Sequence, residues 1–260
     1  VADRGDELID VAITLVLVAI AIAVSFGLRL GLESDLAIAV VRAIAQLAAV
    51  TAFIKLVFEN PPYAVLFIAV MLAAATWTSG RRLKGVPRAM PIAFVSIASA
   101  SLVTTAILFG FGVFELEPRY LLPVAGILIG NSMNAVSVAG KLLREEIVSK
   151  TLEIETRLAL GVRARDALGP NVKKSISTSL VPLIDSTKNV GIIALPGGFV
   201  GMLLGGATPQ EAAQVQAIIL FMLLGAVAIA AMLTSALVAR AFVGPGERIV
   251  LPPSLSIDAS

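Results

Sequence analysis

The chain has 260 residues, 58% of them hydrophobic and 15% charged, with a net charge of +2 and a mean hydropathy of +0.95. A soluble domain carries about a quarter charged residues to cover its surface, so this composition excludes an ordinary water-soluble globule, and the near-neutral balance gives no case for binding nucleic acid. With no cysteine and no histidine, disulfides, thiolate or imidazole metal sites and Ser–His or Cys–His catalysis are excluded as well.

About 20 apolar residues in helix cross a bilayer core of about 30 Å. The expected fold is therefore all-α and polytopic, with about seven transmembrane helices. In chain order the spans are 8–26, 36–58, 62–78, 89–114, 120–143, 176–206 and 212–242. Continuous apolar runs favour helices over the alternating segments of a β-barrel. The acidic start, "VADRGDELID", differs from the basic start of a cleavable signal. The sixth span is too long for one straight crossing and contains Pro182 and Pro196-Gly197-Gly198, so it is expected to be broken. The whole of 1–260 reads as a single transmembrane domain with a cytoplasmic segment over 141–174.

Fifteen of the 20 basic residues fall in loops on one side, from Arg29 through Arg81, Arg82, Lys84 and Arg88 to Arg240 and Arg248. Arg4 and Arg119 alone fall on the other. By the positive-inside rule the N-terminus is outside and the C-terminus cytoplasmic, in a cell (inner or plasma) membrane. Arg42, Lys55 and Lys188 lie within expected spans, Lys55 near an outer end where it can reach toward headgroups. Trp77 near a span end is read as an interface anchor.

The cytoplasmic segment carries one helical stripe, Leu143, Ile147, Thr151, Ile154 and Leu158. Gly161 is the expected stop. A short helix over "VRARDAL" should follow, closed by Gly169-Pro170, with a new helix capped by Asn171. Two breaks flanking a short helix suit a segment pushed by another protein. A basic amphipathic linker lying on anionic lipid fits the pattern equally.

"ETRLALGVRARDALGP" resembles the cytoplasmic coupling loop of ABC-transporter permeases, through Glu155, Leu160, Gly161 and the helix carrying Arg163, Arg165 and Asp166. "VVRAIAQL", "PVAGILIGNSMNAVSVAG" and "LVPLIDSTKNVGIIALPGGFVGMLLGGATPQEAAQVQ" resemble the FetB-type permeases, the ABC family of bacterial iron exporters and plant aluminium-tolerance permeases. The resemblance runs in order over most of the chain. The family implies a non-enzymatic permease subunit, a homodimer, served by a separate cytoplasmic ATPase that binds ATP and Mg. In agreement, no G-x-x-x-x-G-K-[ST] phosphate loop is present. One departure is that the family's methionines after "LPG" are Gly198 and Phe199 here, so no thioether contact to cargo carries over.

Charge within a span costs about 2.5–3.5 kcal/mol, so three polar strips stand out. Asp185, Lys188 and Asn189 share one helical face, as do Arg42 and Gln46, and Asn131 with Asn134. They either line a transport route between two protomers or form a structural network that fixes helix register. Gly126 and Gly130, and Pro196 with Gly197, Gly201 and Gly205, permit close helix approach, within a protomer or at a dimer seam or gate. No metal ligand set is defined. The competing class is an ion-coupled secondary transporter titrating Asp185, for which a docking helix at 141–174 has no purpose.

Overall fold

The computed structural model describes the backbone of residues 4–59 and 62–251, and side-chain surroundings from residue 13 onward except at 52, 55, 56 and 58–61. Arg4 and Lys55 lie outside the described side chains. By backbone contacts the chain divides into two units, Val1–Asn60 and Pro61–Ser260.

The first unit holds α1 (Arg4–Gly27) and α2 (Glu33–Glu59). A tight turn joins them. Gly31 takes φ +70°, Leu30 N–H donates to the Ser25 carbonyl, and Ser25 Oγ donates to Glu33 Oε1 at 2.7 Å.

The second unit is built on α3 (Pro62–Arg82), α4 (Ala89–Gly110), α5 (Pro118–Ser149) and α9 (Pro209–Ala241), each packed on others of the set. Their contact faces are lined by fully buried alanines, among them Ala93, Ala100, Ala139, Ala230 and Ala231. Small residues there let helix backbones approach and gain dispersion contacts, the main attraction available where lipid is as apolar as the core. Ile97, Leu128, Val136, Leu143 and Val238 fill the space between. The outer faces are apolar too: Leu102 is 70% exposed and Ile107 52%. Such surfaces belong against lipid.

Among the described residues five helices are long and apolar enough to cross a membrane: α2, α3, α4, α5 and α9. The described apolar stretch of α1, Ile13–Gly27, is shorter. The region expected as the sixth span is split. The helix α7 (Ala164–Lys188) ends in a turn over 189–196, and α8 (Gly197–Leu204) follows and packs on α9. Eight residues rise only about 12 Å, so α8 does not cross by itself.

Between α5 and α7 lies α6 (Thr151–Ala159). The expected stripe is realised: Leu143, Ile147 and Ile154 are buried, although the helix axis breaks at Lys150 (φ −116°, ψ 22°). After α9 a two-stranded antiparallel ribbon, β1 (Val243–Gly244) with β2 (Arg248–Ile249), turns back, and β2 packs on α6.

Two local expectations are corrected, the first at Pro182, which lies inside α7 and does not break it. Gly169-Pro170 does not end a helix, and Asn171 is not a cap: α7 runs through both, and Asn171 is buried. An interior proline removes a hydrogen bond and crowds the carbonyl four residues back, costing about 3 kcal/mol. The buried face of α7, at Ala164, Ala167, Leu168, Asn171, Ser175 and Ser179, offsets that cost by packing on α5 and α9. Ser175 Oγ fixes the register by donating to the Ala139 carbonyl at 2.6 Å.

Candidate translocation and coupling site

The α6–α7 corner is closed by backbone geometry. Gly161 takes φ +83°, which only glycine adopts without strain. Its N–H donates to the Leu158 carbonyl and that of Val162 to Arg157, the paired bonds that end a helix at a left-handed residue. Arg163 is extended (φ −61°, ψ 144°) and begins α7. The free N–H of Ala164 donates to Glu247 Oε2 at 2.9 Å, so a carboxylate from the turn of the β-ribbon caps the positive end of α7. Nothing in the sequence near residue 164 marks Glu247 as its partner, 83 residues away.

Around this fixed corner the polar and apolar tips point outward. Leu160 is 79% exposed, and Glu155, Arg163, Arg165 and Asp166 are exposed too. Arg163 pairs with Asp166 at 2.9 Å. Lys174 of α7 pairs with Glu146 of α5, and Lys150 with the same carboxylate at 3.2 Å. These bonds tie α7 to the end of α5.

Two of the three polar strips occupy the second unit. Asn131 and Asn134 line a cleft of about 310 Å³ with Ser179, Pro182 and Ser186 of α7. Asn131 Nδ2 donates to the Ile127 carbonyl at 2.9 Å, leaving its oxygen free to face the cleft among the described residues. Asn134 Oδ1 accepts from Arg82 Nη1 at 3.3 Å. Asp185 and Lys188 lie one turn on, outside that cleft. They form an ion pair at 3.8 Å, with side chains 57% and 70% exposed. Asn189 caps α7, and its carbonyl accepts the N–H groups of Ile193 and Ala194, which turns the chain toward α8. Ser137, a neighbour of the asparagine strip, is buried against Ser79 at 3.1 Å and acts in packing. Arg42 and Gln46 are exposed on α2 in the first unit.

The glycines divide in role. A β-carbon at Gly126 would meet Met71 Cε at 2.9 Å, so Gly126 serves packing of α5 on α3. Gly130, Gly197 and Gly201 have open space, and Gly205 meets only the backbone of its own helix. Pro196 is extended (φ −62°, ψ 146°) and starts α8. Gly197 and Gly201 thus lie bare on a helix with no buried residue, while a β-carbon at Gly198 would meet Gln216 Oε1 at 3.0 Å.

Residues 8–243 match the model of a family described as "Uncharacterised protein family (UPF0014)". The chain belongs to the UPF0014 family. The "UPF0014 membrane protein STAR2" of Oryza sativa subsp. japonica is 41% identical over 216 residues, covering 82% of this chain and 76% of the relative. "Protein ALUMINUM SENSITIVE 3" of Arabidopsis thaliana is 38% identical over 199 residues, 76% of this chain and 73% of the relative. The "Probable iron export permease protein FetB" of Escherichia coli (strain K12) is 30% identical over 225 residues, 86% and 87% of the two chains. No solved structure matches. This UPF0014 chain is a multi-span, all-α membrane protein.

Proposed function

We propose that this UPF0014 protein is the membrane-spanning subunit of an ABC transporter, exporting an iron-type metal with energy from a separate ATPase chain. The observation that carries this reading is the exposed, internally braced α6–α7 corner, at the residues that resemble a coupling loop. The name of the Escherichia coli relative supports both permease and iron. On this reading Glu155, Leu160, Arg163, Arg165 and Asp166 meet the ATPase, and Gly161 sets the angle at which they do so.

The chain crosses seven times as one functional domain, α1 and the α7–α8 pair supplying the remaining crossings. Asp185 and Lys188 are exposed in the single chain, and charges facing lipid cost about 2.5–3.5 kcal/mol each. A second copy, with an aqueous route between the two, removes that cost and covers the bare glycines of α8. Asn131, Asn134 and Asp185 then offer oxygen atoms, the donors that suit hard or borderline cations such as iron(III) or aluminium. Among the described residues no three Asp or Glu side chains come together, so cargo passes in transient contact or as a partly neutral complex.

The test is co-purification of the chain with a co-expressed ABC ATPase subunit from the same organism. Stable association is expected, lost in Arg163→Glu with wild-type membrane insertion retained. Asp185→Ala should insert normally, keep the ATPase and lose ATP-driven metal uptake into inverted vesicles at least tenfold. Full vectorial transport by the purified chain alone, driven by an ion gradient, sinks the reading in favour of a secondary carrier.

A further inference from the structure

Two helix faces meet beside the C-terminal end of α9 and leave a groove of about 660 Å³ between them. That lies within the range of about 300–1,000 Å³ typical of small-ligand clefts. On α7 its wall is Arg165, Leu168, Val172 and Lys173, whose spacing keeps them on one helical face. On α9 it is Ala236, Ala239 and Arg240, at i, i+3 and i+4. The floor is deep because its residues are small. Gly169 lies midway along the α7 wall, and a β-carbon there would meet nothing within 4 Å.

Arg165, Lys173 and Arg240 therefore rim an apolar trough. None of them has a carboxylate within ion-pair distance among the described residues. Asp166, which borders a shallower depression beside Arg165 and Lys173, is held by Arg163. Arg165 and Lys173 are eight residues apart, roughly 12 Å along the helix axis. An anion between them and Arg240 would relieve repulsion that the chain itself leaves unmet.

Position selects the class of anion. Arg240 lies in the last turn of α9, the most apolar helix, so the groove straddles the level where hydrocarbon gives way to headgroups. The ligand that has an anionic head and an apolar tail at that level is a phospholipid. Free phosphate would satisfy the rim and leave the trough exposed. An acidic protein segment would carry peptide groups toward the lipid-facing end, where they lack partners.

We propose that this groove is a binding site for an anionic phospholipid. Its phosphodiester contacts Arg165, Lys173 and Arg240, and its acyl chain lies along Leu168, Val172 and Ala236. The site shares Arg165 with the face proposed to meet the ATPase; Lys173, Arg240 and the apolar wall belong to neither the proposed route nor that face.

The test is native mass spectrometry of the purified full chain in detergent. It is titrated with phosphatidylglycerol or phosphatidylcholine of identical acyl chains, and with glycerol 3-phosphate. Phosphatidylglycerol should bind about tenfold more tightly than phosphatidylcholine, and glycerol 3-phosphate should not displace it. Lys173→Gln combined with Arg240→Gln should abolish the preference. Gly169→Leu, whose β-carbon meets nothing within 4 Å and which leaves every charge in place, should weaken binding of both lipids. Equal retention of the two lipids overturns the proposal. So does a preference that survives both variants, displacement by glycerol 3-phosphate, or photocrosslinking from position 173 in native membranes that captures an acidic polypeptide in place of lipid.

Discussion

A single carboxylate, Glu247, sets how the α6–α7 corner is held. It accepts from the first free N–H of α7 and sits at the positive end of that helix dipole. Its own backbone is left-handed (φ 55°), a conformation that costs a non-glycine residue energy and persists where surrounding contacts enforce it. Glu247→Gln keeps the shape and removes the charge. A loss on the order of 1 kcal/mol is expected, by analogy with removal of a helix cap. It should be read as a lower thermal midpoint and faster amide exchange at residues 164–167. Unchanged exchange there would show that the ribbon does not brace α7. By contrast, the exposed Arg163–Asp166 pair contributes little to stability, because water screens it.

At the level of helices, close approach separates two kinds of glycine. Gly140 of α5 is buried, and a β-carbon there would come within 2.5 Å of Leu83 Cδ2 and 3.3 Å of Thr234 Cγ2. Leu83 is itself fully packed and has little room to yield. Gly140→Val should destabilise the bundle by about 1–3 kcal/mol, as overpacking does, measured as a lower midpoint of thermal aggregation in detergent. Gly201 of α8 has nothing within 4 Å. Gly201→Ala should leave that midpoint unchanged while weakening self-association, measured by cross-linking in membranes. A lowered midpoint in Gly201→Ala would mean that Gly201 itself serves the packing of α8 on α9. The helix α9 is anchored differently. Thr208 and Glu211 form a reciprocal capping box at its start, with Thr208 N–H donating to Glu211 Oε2 at 2.9 Å. That cap fixes where the longest apolar helix begins and hence the depth at which Arg240 ends it.

For the whole molecule, orientation is the property from which the rest follows. Basic residues gather at Arg81, Arg82, Lys84 and Arg88 after α3 and around the α6–α7 corner. Trp77, 60% exposed, is covered by the Arg81 guanidinium at 5.7 Å, as at a membrane interface. The chain contains no cysteine, so single cysteines report topology without background. Cysteine at Ser149 should react with a membrane-impermeant maleimide only after cell permeabilisation, and cysteine at Glu115 in intact cells. The reverse pattern would invert the assignment and place the α6–α7 corner outside, beyond reach of any cytoplasmic ATPase.

The sequence by itself determined the environment and the helices. Apolar runs of bilayer length have few other solutions, because backbone polar groups in lipid must pair within their own segment. Local chemistry determined the turn at Gly161 and the stripe from Leu143 to Ile154 for the same reason: each depends on residues within a few positions. Tertiary structure decided what depends on distant partners. Pro170 passes through α7 unbroken because buried packing on α5 and α9 outweighs its local preference. Asn131 and Asn134 share a cleft with Pro182 and Ser186, while Asp185 and Lys188 face outward. The groove between Lys173 and Arg240 exists only because two stripes, each unremarkable alone, are brought face to face. Periodicity along a chain fixes which side of a helix is apolar; which helix meets that side is set by the energy of packing all of them together.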